Sequence, residues 1–152
     1  MFMSKNVQIV LTVNASSLYQ MSNPSQEEID TMTTLSDDND GVSDNGKVQD
    51  FLSNVYLGRS VEWIGSTTDT GYSIAIDRIV YDFDLNDPND KCFLEDDVTI
   101  SGTGGCHSKV VATIKDQIEM AKTMNVYKIE FSIHYNNVSK SYLIDPKLLA
   151  NE

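Results

Sequence analysis

The chain has 152 residues, with 23 Asp and Glu against 11 Lys and Arg and a formal net charge of −12 at pH 7. Without clustered bases to displace phosphate counterions, nucleic acid and anionic membranes are poor partners. The 40% hydrophobic content and seven tyrosines exclude a wholly disordered chain, and no apolar run approaches the roughly 18 residues of a membrane helix, so the sequence reads as one soluble domain over residues 1–152.

In chain order the first signal is VQIVLTV at 7–13, which sets Val7, Ile9, Leu11 and Val13 on one face, the period of a strand covering a core. A leader peptide is the competing reading. The apolar stretch is only seven residues long and is interrupted by Gln8 and Thr12, which favours the strand and a cytoplasmic protein. Asn23-Pro24-Ser25-Gln26 supplies a cap, a first-turn proline and a Gln at the third helical place, predicting a short helix near 24–33. The acidic, turn-rich residues 34–50 then read as a long mobile loop.

Strand signals dominate the second half, at 59–65, 72–81, 97–101, 109–115, 126–135 and 141–145, separated by the turn clusters DLNDPND, GTGG and YNNVSK. Six or seven short strands at this spacing predict an all-β fold, an antiparallel β-sandwich with one or two short helices; α+β is the alternative. Tyr127, Ile129, Phe131, Ile133 and Tyr135 are the expected core face, with Trp63 a second anchor. Between them Asp116-Gln117-Ile118-Glu119 resembles a capping box, and Ile118, Met120, Ala121 and Met124 a helical stripe, which predicts a helical turn bridging strands or sheets.

Fifteen of the 23 acids fall in 24–50 and 82–97. Counted from Ser36, the run SDDNDG places oxygens at calcium-loop positions, with Asp38, Asp40 and Asp44 as candidate ligands and Gly41 at the required turn. Lys47 stands where the loop wants a bidentate Glu, so a solvated acidic loop is favoured. Asp82, Asp84, Asn86 and Asp87 make a weaker run, with Asp87 in the glycine position.

Ser101-Gly102-Thr103-Gly104-Gly105 invites a phosphate-loop reading, but no Gly-Lys-Ser/Thr follows and KVVATIK has a strand pattern, so a hairpin turn is expected. Cys92 and Cys106 either close one loop in an oxidising compartment or stay as reduced core residues, and the reduced reading is favoured. Cys106, His107 and His134 supply the only thiol and imidazole chemistry, and neighbours on a strand point to opposite faces, which argues against a Cys106–His107 pair. A copper centre wants two His and a Cys, closely spaced near the C-terminus with a weak Met, and that pattern is missing. His134, between Lys128, Glu130 and Ser132 on a polar stripe, is expected to be an exposed strand residue.

VQIVLTVNASSLY with Asn23-Pro24-Ser25, GRSVEWIGST leading to YSIAIDRIVYDF, and YKIEFSIHY with LIDPKL at 143–148 together resemble the inclusion-body proteins of the PixA and AidA type. The resemblance implies a β-sandwich-like, cytoplasmic, non-enzymatic protein that sometimes accumulates as crystalline inclusions, with no catalytic residues and no cofactor. The acidic 26–50 region and the 116–124 turn depart from it. The functional expectation is a structural or interaction protein forming homo-oligomers through strand edges or flat faces, motivated by the alternation of 126–135. A ligand-binding module, calcium-assisted and stacking Tyr and Trp on a sugar, is the alternative.

Overall fold

A computed structural model of the chain describes residues 4–39, 41, 43, 46–82, 99–122 and 124–152. Among these residues, ten strands form two facing sheets. The first sheet has the order β2 (Thr33–Asp37), β1 (Val7–Val13), β4 (Ser60–Ser66), β7 (Val110–Thr113). The second runs β3 (Leu52–Tyr56), β10 (Lys147–Asn151), β8 (Met124–Tyr135), β5 (Tyr72–Tyr81), β6 (Thr99–Ser101), with β9 (Val138–Ile144) also on β8. Pairing is mostly antiparallel; β1–β4 and β3–β10 are parallel.

The two-residue period decides what is buried. Val7, Ile9, Leu11 and Val13 face Tyr127, Ile129, Phe131 and Ile133 across one core, all of them buried. Trp63 and Tyr127 bridge the layers, with ring centroids 5.7 Å apart and the indole Nε1–H donating to the Tyr127 hydroxyl at 3.0 Å. The bond satisfies both polar tips, so each ring contributes its full apolar area, on the order of 2–3 kcal/mol. Burial lifts the Tyr127 phenol far above its ordinary range.

Two short helices, α1 (Ala15–Tyr19) and α2 (Gln26–Thr31), lie early in the chain. The cap of α2 is Ser25, two residues beyond Asn23: its Oγ accepts from Glu28 N–H and its own N–H donates to Glu28 Oε1, both at 3.1 Å. The expected loop 34–50 is in part ordered structure, since β2 ends at Asp37 and a 3-10 turn occupies Val48–Asp50. At 118–120 the helical turn is a single 3-10 turn. The expected stripe does not form, because Ile118 and Met124 are 65% and 50% exposed and Met124 opens β8.

Two connections position the surfaces discussed below. Residues 102–109 leave β6 in the second sheet and enter β7 in the first, so the glycine-rich run is a crossing between sheets rather than a hairpin turn. β9 and β10 follow each other along one edge of β8 in unbroken register, Ile144 opposite Ile129 and Lys147 opposite Val126. Pro146, which has no N–H to give, separates them, and its carbonyl accepts from Tyr127 N–H at 3.1 Å.

Candidate functional site

Of the calcium candidates only Asp38 lies among the described residues. Asp38 accepts from Gln8 N–H at 3.0 Å and lies 3.9 Å from Lys5 Nζ, while Asp40 and Asp44 fall outside the described residues. The neighbouring Asp37 holds the turn together. Its carboxylate accepts from Asn39 N–H and Gly41 N–H at 2.8 Å each and from the Ser53 hydroxyl, tying the turn to β3. Among the described residues no three His, Cys, Asp or Glu side chains gather in a way that would hold a metal ion. Of the weaker run only Asp82 is described.

Cys106 is a free, exposed thiol in the turn at 105–107, not a core residue, and its neighbour His107 is exposed beside it; Cys92 lies outside the described residues. His134 is half-buried rather than exposed, and its Nε2 lies 2.9 Å from the Ser132 hydroxyl. Positions two apart on a strand share a face, which brings these side chains together.

The third member of that cluster, Asp77, comes from a β-bulge. Ile76 pairs with Phe131 and Arg78 with Glu130, leaving Asp77 as the extra residue. The 102–108 crossing fixes the bulge: Ile76 N–H donates to the Ser108 carbonyl and Gly102 N–H to the Asp77 carbonyl, each at 2.8 Å. A Cβ at Gly102 would meet Ser108 Oγ at 2.2 Å and the Ile76 carbonyl at 2.5 Å, so only glycine lets the crossing lie this close. Burial pushes the Asp77 carboxyl above its usual range; the Ser132 hydroxyl bond and the His134 and Arg78 charges oppose that shift. Arg78 itself is bonded to Glu130.

This cluster borders a groove of about 330 Å³ lined by Gln26, Asp77, Arg78, Glu130, Ser141 and Leu143 on the outer side of the second sheet. The Ser132 hydroxyl lies 2.9 Å from His134 Nε2 and shares a hydrogen bond with the Asp77 carboxyl. Ser132 is also only 4% exposed.

At one end of the sandwich Tyr72 and Tyr135 stack with centroids 4.4 Å apart, and Tyr19, at the end of α1, meets both edge-on at 5.7 Å. Lys140 Nζ sits 4.5 Å from the Tyr19 ring centroid and donates to the Tyr19 carbonyl at 2.6 Å. All three rings are half-exposed, whereas Trp63 is buried and has no face to offer a ligand.

β8, the stretch that motivated edge pairing, is an interior strand with β5 on one side and β9 and β10 on the other. It has no unpaired edge along the pairs described. The edges of β9 and β3 are engaged by the chain itself, Gln26 Nε2 donating to the Leu143 carbonyl at 2.8 Å and Asn39 Nδ2 to the Asn54 carbonyl at 2.9 Å. The outer face of the first sheet, by contrast, presents Val10, Thr12, Thr34, Ser36, Ile64 and Val111, all exposed or half-exposed.

Among the described residues no helix is long and apolar enough to cross a membrane. No family model matches the chain, and no curated protein matches it.

Proposed function

We propose that this is a non-enzymatic structural or interaction protein of the cytoplasm that works by associating with copies of itself, as the resemblance to inclusion-body proteins of the PixA and AidA type implies. One observation carries the reading: on a chain of charge −12 the outer face of the first sheet is exposed or half-exposed, and its rows Ser36–Val10–Ile64 and Thr34–Thr12–Ser66 contain no charged side chain. An uncharged β-branched face loses little by desolvation and gains apolar burial when covered. Static light scattering across serial dilution tests it. A mass that climbs above the 17.0 kDa of one chain with concentration is the expected result, and a constant single-chain mass would remove the reading.

A second reading, a ligand-binding module for sugars or other flat molecules, is favoured by the half-exposed cluster of Tyr19, Tyr72 and Tyr135. Tyrosine-edge NMR resonances followed during titration with simple monosaccharides should move for these rings and not for buried Tyr127. Thermal melts with calcium and with chelator separate the calcium-assisted form of this reading, since coincident curves argue against the ion.

A further inference from the structure

Register sets four residues side by side at the β8–β9 hairpin. Tyr72 pairs with Tyr135 and Tyr135 with Val138, and Lys140 follows Val138 by two places, so all four share one face. The turn is Asn136-Asn137, both at positive φ (48° and 64°), a two-residue connection that fixes this register. Tyr19 meets the face from the end of α1. Val138 is 56% exposed and the three rings are half-exposed, so the face is open to solvent.

Resting on the ligand-module reading above and naming its ligand class, we propose that this face binds an organic ammonium cation and that Lys140 is a tethered occupant of the same site. Lys140 shows what the rings accept. On a chain of charge −12 its ammonium pairs with no carboxylate among the described residues; Nζ sits 4.5 Å from the Tyr19 ring centroid and donates to the Tyr19 carbonyl instead. The face of an aromatic ring is the negative side of its quadrupole, so a cation is held there without an ion pair.

Charge and hydration select the class. The acidic chain draws cations and repels anions, and a neutral ligand gains nothing from that field. A quaternary ammonium spreads its charge over methyl groups and gives up little hydration when rings surround it, which makes it a better fit than a metal ion for a site built of tyrosines. Lys140 is exposed and swings into solvent at the loss of one hydrogen bond and one ring contact, so a free cation displaces it at small cost. Each ring contact is weak, which sets the dissociation constant on the order of millimolar, and added salt weakens binding further.

Proton NMR titration of the full chain with tetramethylammonium chloride, against sodium chloride at matched ionic strength, tests the proposal. The ring resonances of Tyr19, Tyr72 and Tyr135 are expected to move and saturate, and those of buried Tyr127 to stay. Lys140→Met removes the tethered competitor at an exposed position and is expected to tighten binding about threefold or more. Tyr135→Leu is expected to weaken it by about threefold or more, with near-UV dichroism of buried Trp63 verifying the fold. If Lys140 merely caps the end of α1, Lys140→Met melts lower and binds no more tightly than wild type, and that outcome overturns the proposal. Rings that move with glucose but not with tetramethylammonium overturn the cation and keep the ligand-module reading. Rings that respond to neither overturn both.

Discussion

The inner faces of the two sheets follow one rule, but their outer faces diverge. Outside the first sheet the exposed positions are mostly Val, Thr, Ser and Ile, with the Glu62–Lys109 pair toward one side. Outside the second, Asp77, Arg78, Glu130, Ser132 and His134 form a connected polar cluster, and Ser132 at its centre is buried. Pairing runs through the first sheet without a register shift. One inserted residue in β5 is enough to give the second a local chemistry.

That contrast can be attacked from the shared core outward. Trp63→Ala removes the ring that ties the layers and orphans the Tyr127 hydroxyl; denaturant titration should show a loss of about 3–5 kcal/mol. Gly102→Ala acts where the crossing meets the β5 bulge. The added methyl must displace the crossing from the bulge, at a cost of about 1–3 kcal/mol by thermal melting, and the His134 imidazole resonances should move with it.

Asp77→Asn sharpens the comparison through pH. Because burial raises the folded carboxyl above its unfolded value of 3.8, the favourable contribution of the acid is complete below that value and is lost as pH rises through the folded one. The Asn variant should therefore melt higher than wild type at neutral pH, with the advantage shrinking as pH falls toward 4. The smallest effect belongs to the first face. Lys109→Met breaks a solvent-exposed pair and should cost under about 1 kcal/mol, less still in high salt.

Strong alternation made the long strands legible. β5 falls on residues 72–81 as expected, and β8 begins two residues before the expected 126, because a strand buried on one face must repeat in twos. β2, β3 and β10 were not legible. Thr33–Asp37 is short and polar on an edge, where only Thr33 is fully buried and little alternation is required. Lys147–Asn151 is five residues after a proline and owes its pairing to β3, almost a hundred positions away. In the polar cluster the Ser132–His134 contact was within reach of a two-residue spacing. The arrival of Asp77 depends on a bulge held by Gly102 and Ser108, which no periodicity announces.

The proline between β9 and β10 bears on how the chain is assembled in time. Residues 147–151 occupy an interior place, between β3 and β8, though they follow every other described strand in the chain. β3 emerges from a ribosome nearly a hundred residues before the neighbour that will pair with it, and until then its backbone must be shielded by something else. Deleting 147–151 should thus leave β3 without its ladder and part it from β8, so that five residues decide whether a strand nearly a hundred positions earlier has a place in the layer.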